Sequence, residues 1–211
     1  MKRCCHRSAG GALVAAMLAG LVGGCASSFL PPPAAAPALY TLAADNEAIA
    51  ALALPAGAPT LIVALPRAAP GFDTAQIAYV RRPYEIEYFA HNQWVDTPPK
   101  MLAPMMVSAV ERSDAFHAVL AAPTSATGQW RLETELVRLQ QDFSLAPSQV
   151  RLTLRATLVD TPARRVIASR EFDVRVSAAT DDPYGGVVAA QRAASQVMTR
   201  LAAFCAESVA R

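Results

Sequence analysis

Two histidines downstream of residue 24 are the side chains best suited to acid–base chemistry near neutral pH. His91 falls in a polar stretch that we expect to turn, and His117 begins a short predicted strand. Either imidazole can pair with Ser108 or Asp114, but the spacing imposes neither pairing. The chain also lacks the Gly-x-Ser-x-Gly, P-loop and Rossmann glycine patterns. We therefore predict that the protein is not an enzyme, and a hydrolase that uses one of these histidines stays an alternative.

A second candidate for chemistry is the acidic pair Asp181-Asp182, which resembles a pair of metal ligands. Pro183 follows it directly, and proline is favoured in the first helical turn after an acidic N-cap residue. No pair of Cys and His has the spacing of zinc ligands. We therefore interpret the two acids as a helix cap and predict neither a metal site nor a cofactor.

Cys25 offers a different chemistry, because it ends a segment with the layout of an export signal. Basic residues before residue 8 are followed by an apolar run up to Gly24. The run is short for a membrane span, which takes about 20 apolar residues. The end of this run resembles a bacterial lipobox, with the sequence Leu21-Val22-Gly23-Gly24-Cys25. We predict that residues 1–24 are a signal peptide and that the Cys25 thiol carries lipid; an ordinary signal peptide with an incidental cysteine is the alternative.

The composition of the remaining chain is that of an ordinary globular domain. Removal of residues 1–24 leaves 187 of the 211 residues, enough for one domain with a substantial core. Three of the 19 basic residues leave with the signal and all 17 acids remain, so the net charge falls to about −1. Nothing here is typical of nucleic-acid binding, which needs a clustered basic patch. Cys205 lies on an apolar helical stripe, which predicts a buried thiol.

A tether precedes the domain. Residues 25–38 are rich in Ala, Ser and Pro and include Pro31-Pro32-Pro33, a composition that favours an extended, semi-rigid chain. The several acyl chains of a bacterial lipoprotein give a stable anchor, whereas one chain binds a membrane only marginally. We predict a lipidated tether over residues 25–38 and a single domain over residues 39–211.

Apolar and alternating runs predict the strands of this domain. The clearest are three long strands with one aliphatic and one polar face, which we interpret as an antiparallel meander. A change of phase near Val137 and Leu139 indicates a bulge in the first of them. The predicted strands cover residues 39–42, 61–65, 76–80, 84–89, 116–120, 130–139, 150–158 and 166–176, and a turn is predicted over residues 91–94.

Two helices complete the prediction. Pro98-Pro99 opens the first, where Pro104 marks either a later start or a kink. Asp182 caps the second. The fold class is predicted to be α+β, a single mainly antiparallel sheet of five to seven strands with two helices packed on one face. The apolar stripe of the first helix consists of Met101, Leu102, Met105, Met106, Ala109 and Val110, and that of the second runs from Val187 to Cys205.

Aromatic and arginine side chains are concentrated between residues 79 and 94, and these residue types are enriched at interface hot spots. We predict a partner-binding surface here, and the edge of the strand from Tyr84 to Phe89 can accept an added strand from a partner. The predicted partner-binding residues are Tyr79, Arg81, Arg82, Tyr84, Tyr88 and Trp94, with Phe89 and His91 nearby.

The order of several short motifs resembles a known family. After the lipobox and tether come Tyr40-Thr41-Leu42, an apolar strand ending in Leu65-Pro66, and Ala75-Gln76-Ile77. The segment from Tyr88 to Trp94 then leads into a helix, followed by the meander and an amphipathic C-terminal helix. This order resembles the ABC-type transport auxiliary lipoproteins, which include the paraquat-inducible C type lipoproteins. The family often has Arg before the tryptophan, whereas Gln93 stands here, so a role for that Arg does not carry over.

The resemblance implies a non-enzymatic component of a transport system. It implies partners: an ABC permease, its ATPase and a mammalian-cell-entry (MCE) domain protein, which together move lipids or other hydrophobic compounds between membranes. It also implies a lipid-anchored protein on the periplasmic face of the outer membrane, and Ala26 after Cys25 fits outer-membrane sorting. A homo-oligomer is a further implication.

Two other functions stay open at this stage. One is a structural or assembly lipoprotein, such as a pilotin, which the tether and fold would serve equally well. The other is direct lipid carriage in an apolar groove between helix and sheet, lined by Met101, Met105 and Met106, whose side chains adapt to varied shapes.

Overall fold

The computed structural model describes residues 36–43 and 57–210. The predicted signal peptide, Cys25 and most of the predicted tether lie outside the described residues. All described elements fall within the unit Pro37–Arg211. In chain order they are β1 (Ala38–Tyr40), β2 (Thr60–Val63), β3 (Arg67–Ala68), β4 (Gln76–Val80), β5 (Glu87–Trp94), α1 (Pro98–Glu111), β6 (Ala118–Ala121), β7 (Trp130–Asp142), β8 (Gln149–Asp160), β9 (Arg165–Ser177) and α2 (Pro183–Val209).

The three long strands β7, β8 and β9 form the predicted antiparallel meander. Their alternation of aliphatic and polar residues places every second side chain in the core, as a pleated strand with one wet face requires. The register of β7 with β8 shifts between Leu136 and Arg138. That shift is the bulge which the change of hydrophobic phase near Val137 predicted.

The other side of β7 pairs with short strands, and here the sequence prediction was wrong. β2, β3 and β4 lie one after another along β7, each parallel to it, while β6 pairs parallel with β2 and β1 pairs parallel with β5. In the described part of the chain the sheet therefore has nine strands and is mixed, not mainly antiparallel with five to seven. The cause is the length of β7, whose 13 residues offer one edge to three short strands in succession.

The fifth strand differs from its prediction at both ends. It starts at Glu87, not at Tyr84, because residues 81–86 form a turn in which the amide of Glu85 donates to the carbonyl of Arg82. It then continues through the predicted turn to Trp94, whose amide donates to the carbonyl of Ala75 at 2.7 Å. The strand is held there because β1 pairs with residues 92–94 on its other side.

Both helices pack on the same face of the sheet. In α1 the six predicted apolar residues are all buried, and the helix runs continuously from Pro98 past Pro104. The Thr134 hydroxyl on the inner face of β7 lies 3.6 Å from the Met106 sulfur, which seats α1 against that strand. The second helix begins as predicted: the Asp182 carboxylate accepts from the Gly185 amide at 2.7 Å, and Pro183 occupies the first turn.

One continuous core lies between helices and sheet. It contains Leu132, Leu154 and Leu201, which have no accessible surface. Cys205 is fully buried within it, as predicted, and burial raises the pKa of its thiol to about 12. Met101, Met105 and Met106 also belong to this core, so they fill space between helix and sheet and do not line an open lipid groove there.

Candidate partner-binding site

Five of the six predicted partner-binding residues come together where β4, β5 and the turn between them meet. Tyr79 lies in β4 one residue before its end, Arg81, Arg82 and Tyr84 lie in the turn, and Tyr88 follows at the start of β5. We call residues 81–86 the tip loop. Because the surface is built from one turn and its two flanking strands, closeness in sequence was a sufficient signal to find it.

Tyr84 is the most exposed large side chain of the tip loop. Its relative exposure is 107%, so it covers no other part of the described domain. Its backbone adopts φ of 68°, in the left-handed region that non-glycine residues rarely occupy, at a cost of about 1–2 kcal/mol. An aromatic residue held in this conformation and fully in solvent contributes little to folding. Such a combination is what a binding surface uses.

Arg81 is fixed by a carboxylate and an aromatic ring. Its Nε donates to Glu87 Oε1 at 2.8 Å, a second donor contacts Oε2 of the same carboxylate, and the Tyr79 hydroxyl donates to Oε2 at 3.0 Å. The Arg81 hydrogen bonds hold the pKa of Glu87 below its ordinary value, while burial and the Glu87 hydrogen bond raise the pKa of Tyr79. The guanidinium also lies 5.6 Å from the centre of the Tyr79 ring. These contacts fix the position of Arg81, whose side chain remains 63% exposed to solvent.

An aromatic cluster stands beneath this ion pair. The ring centroids of Tyr79 and Phe89 are 4.4 Å apart, and Phe143, from the turn after β7, meets Tyr79 edge-on at 5.8 Å. Such contacts stabilise a packed arrangement. Phe143 was missed at the sequence level because it lies far along the chain and reaches this end only through the pairing of β4 with β7.

Two further predicted residues have structural roles. Tyr88 donates through its hydroxyl to the carbonyl of Gly71 at 3.0 Å and packs against the core. Gly71 has φ of 90°, which glycine alone adopts without strain. Trp94 is only 3% exposed and belongs to the core. We therefore correct its prediction: Trp94 cannot form part of a binding surface in this fold, because its ring is covered by neighbouring side chains.

The strand edge is also less suited to strand addition than the sequence suggested. The pairing of β5 with β4 shifts between Gln76 and Ala78, so several residues of β5 bulge out of register before Gln93. A bulged edge is a poor template for an added strand. Recognition at this end of the sheet is therefore better carried by side chains than by the backbone.

A cleft of about 480 Å³ opens beside the tip loop on the face of the sheet that carries no helix. Phe72, Tyr84 and Ile86 supply its apolar part, while β7 and β8 supply Arg138 and Arg151. Arg151 is bound to Asp173 at 2.8 Å. Arg138 was not singled out from sequence, because alternation on a long strand predicts a solvated arginine and says nothing about a loop that comes to lie beside it.

A second cleft of about 640 Å³ lies away from the predicted residues, beside β2 and the loop after β6. Ile62 and Leu65 form apolar walls, and Arg131 stands at its margin. Arg131 is 3.4 Å from Glu133. No predicted functional residue lines this cleft, and its loop packs closely on the sheet, since a Cβ on Gly128 would come within 2.6 Å of Ile62.

The histidine chemistry considered at the sequence level finds no geometric support in the described residues. Neither His91 nor His117 makes a side-chain hydrogen bond there to Ser108 or Asp114; the Ser108 hydroxyl instead contacts Arg112 at 2.7 Å. Among residues 36–43 and 57–210 no group of three or more His, Cys, Asp or Glu side chains is arranged to hold a metal ion. The same described ranges contain no helix that is both long and apolar enough to cross a membrane.

Comparison with known proteins relates the chain to transport lipoproteins. The family model described as "ABC-type transport auxiliary lipoprotein component" matches residues 40–203. A crystal structure of a Xanthomonas campestris protein is 24% identical, with a TM-score of 0.70 over 82% of this chain and 96% of that one. An uncharacterised protein is 12% identical, with a TM-score of 0.64 over 81% and 99%. Both likenesses concern the fold alone. No protein of curated function matches the chain significantly.

Proposed function

Because this chain belongs to the family of ABC-type transport auxiliary lipoproteins, we propose that it is the outer-membrane lipoprotein of an intermembrane transport system for lipids or other hydrophobic compounds. In this proposal it docks the periplasmic MCE-domain component of the system. The observation that carries the proposal is the family match over residues 40–203, which covers nearly the whole domain that follows the predicted tether.

The predicted anchor supports the cellular part of this proposal. Lipid on Cys25 holds the domain at a membrane, and Ala26 in the next position favours sorting to the outer membrane. Residues 26–37 then separate the lipid from β1, a distance of at most about 40 Å for an extended chain. The domain is thereby kept within reach of the membrane surface, where a partner that crosses the periplasm would arrive.

The tip loop supports the docking part. It presents an exposed, conformationally strained Tyr84 beside arginines, on a base made rigid by the Arg81–Glu87 ion pair and the Tyr79–Phe89 ring contact. A rigid base reduces the conformational entropy that the loop loses when a partner binds. The proposed docking surface therefore comprises Arg81, Arg82 and Tyr84, with Tyr79 and Tyr88 as supporting residues.

The competing proposal is a structural or assembly lipoprotein of the outer membrane, comparable to a pilotin. The same anchor and a similar surface would serve that role, so the two proposals differ in the partner and not in the fold. Gene neighbours separate them, because an adjacent MCE gene and ABC permease gene favour transport, whereas a secretin gene or a barrel-assembly gene favours the alternative.

The direct test is recovery of partners from native membranes. The lipoprotein, with Cys25 intact and an affinity tag at its C-terminus, is purified from mildly solubilised membranes, and co-purifying proteins are quantified by mass spectrometry. We expect an MCE-domain protein among them. A Cys25→Ser variant, which cannot be lipidated, should lose membrane attachment and lower that recovery. Enrichment of secretion or barrel-assembly proteins without an MCE protein would contradict the proposal.

A further inference from the structure

Arg138 distinguishes the cleft beside the tip loop from the rest of the charged sheet face. Along that face Arg151 is paired with Asp173 at 2.8 Å, and Arg155 with Glu135 at 3.0 Å and with Glu171 at 2.9 Å. Arg175 of β9, opposite Arg151, has no ion pair among the described residues, but it is exposed to solvent. Arg138 lies on the same face and is half-buried. Within residues 36–43 and 57–210 it has neither an ion pair nor a hydrogen bond from its side chain.

A half-buried arginine without an acid is an unusual arrangement, because the guanidinium has lost part of its hydration without gaining a partner. Of the two other arginines in the cleft lining, Arg151 is paired with Asp173, and Arg82 is bound to Glu85 at 2.9 Å in the tip loop itself. Asp142 also lines the cleft, and its carboxylate accepts from the amide and the hydroxyl of Ser144. Arg138 is therefore the guanidinium of this lining that has no carboxylate in contact among the described residues. Its planar fork of donors matches a carboxylate in bidentate geometry.

The tip-loop side of the cleft combines the Arg82–Glu85 ion pair with exposed apolar side chains. Tyr84 stands fully in solvent, Ile86 is 43% exposed, and the buried Phe72 also lines the cleft. A ligand in this cleft thus meets a cation on the strand side and an aromatic–aliphatic wall on the loop side. A segment that carries a carboxylate next to a large apolar side chain satisfies both walls at once.

We propose that this cleft is the docking site for a short acidic segment of the partner, with a partner Asp or Glu bound to Arg138 and an adjacent apolar side chain held between Tyr84, Ile86 and Phe72. The inference rests on the proposed function, since it extends the docking surface from Tyr84 into the cleft and specifies which chemistry the MCE component brings to it. The Arg82–Glu85 ion pair and the hydrogen bond from the Glu85 amide to the Arg82 carbonyl then hold the tip loop in place before binding.

Site-specific photo-crosslinking in native cells tests this. The full-length lipoprotein carries p-benzoylphenylalanine in place of Tyr84, or in place of Tyr184 as a control at an exposed tyrosine on α2 that lies outside the cleft. We expect the MCE-domain protein to crosslink at position 84 and not at position 184. The crosslinked peptide should contain Asp or Glu beside an apolar residue.

Charge variants then test the role of Arg138. With the crosslinker at position 84, Arg138→Glu should lower the yield by about tenfold, the loss expected for one charge-assisted hydrogen-bonded pair. Arg138→Lys should retain part of the yield, and Arg192→Glu, the same charge reversal at an exposed position of α2, should leave it unchanged. Ile86→Asp places an acid in the cleft without altering Arg138 and should also lower the yield.

The outcomes separate this inference from the proposed function. If the MCE protein is recovered from membranes but its yield is the same in Arg138→Glu and Ile86→Asp, the cleft is not the docking site and the proposed function stands. A crosslink from position 84 to lipid, or to a second copy of this chain, overturns the inference in the same way. Failure to recover any MCE protein with the wild-type chain overturns the proposed function and the inference together.

Discussion

The contrast between Trp94 and Tyr84 gives the sharpest prediction about this surface, because both are aromatic and lie ten positions apart at the two ends of one segment. Trp94 is 3% exposed and Tyr84 is 107% exposed. Replacement of each by alanine should therefore affect different properties. Trp94→Ala should weaken folding, and Tyr84→Ala should weaken only binding.

The magnitude for Trp94→Ala follows from its burial. Truncation of a buried Trp to Ala typically costs about 3–5 kcal/mol, because the lost transfer energy is joined by the cost of a cavity. A small void of about 10 Å³ already adjoins the ring, together with Ile77, Val150 and Gly186. The truncation would enlarge this void. For a domain of this length, each kcal/mol lowers the melting temperature by about 2–4 °C, so we expect a fall of about 10 °C.

Tyr84→Ala should change the free energy of unfolding by no more than about 0.5 kcal/mol, since its side chain buries no surface in the fold. Both variants are measured by thermal and urea denaturation monitored by circular dichroism, with Trp94→Phe as a variant that keeps much of the core volume. Unfolding of Trp94→Ala at the same urea concentration as the wild type would contradict a role for Trp94 in the core. Destabilisation of the domain by Tyr84→Ala as strong as that by Trp94→Ala would contradict a role for Tyr84 in binding alone.

Three further predictions concern the fold. Gly186→Ala would place a Cβ 2.1 Å from the buried Gln141 side chain. It should lower the free energy of unfolding, measured by urea denaturation, by about 2 kcal/mol. The loss should be smaller when Gln141 is also replaced by Ala, and equal losses with and without Gln141→Ala would contradict the contact. The Arg151 hydrogen bond lowers the pKa of Asp173 below its ordinary value of 3.8. This pair therefore stabilises the fold above pH 3.8, and its contribution is lost as the pH falls through the lowered pKa. In Asp173→Asn the free energy of unfolding, measured by urea denaturation, should depend less on pH over that range. Burial raises the pKa of Cys205 to about 12, so its thiol should react with a disulfide reagent at pH 8 only after the domain opens. Rapid labelling of Cys205 in the native protein would contradict its burial.

The sequence predicted the meander and helices well because their patterns are long. β8 alternates over most of its 12 residues, and both helices carry apolar stripes that repeat for several turns. Only one burial pattern satisfies such runs. The cap at Asp182 was predicted for a similar reason, since acid followed by proline has a local mechanism that does not depend on the rest of the fold.

The parallel pairing of the short strands could not be predicted in the same way. β3 has two residues and β2 has four, so neither carries a usable period, and nothing local says whether a neighbour runs parallel or antiparallel. Pairing direction is decided by where β7 leaves an edge free. The strand predicted over Tyr84–Phe89 begins only at Glu87, because the turn at Pro83-Tyr84 takes up the first residues of the alternating run.

Part of the candidate site could be predicted from the sequence, namely the exposed aromatic and arginine residues of the tip loop. Tyr84 and its neighbouring arginines were found because they are close in sequence and of the types that interfaces favour. Trp94 shares that chemistry but is covered by the core, and composition alone does not distinguish the two situations. Arg138 was missed because its importance depends on an absent carboxylate and on a loop that lies more than 50 residues earlier in the chain.

Docking through the tip loop is tested most directly by comparing Tyr84→Ala with Tyr184→Ala in purification from native membranes, with the MCE-domain protein quantified by mass spectrometry. Both tyrosines are exposed, so neither change should unfold the domain. We expect the MCE protein to be recovered with the wild type and with Tyr184→Ala and to be depleted with Tyr84→Ala. Equal recovery with all three chains would contradict docking through the tip loop, and the absence of an MCE protein from all three would contradict the transport function itself.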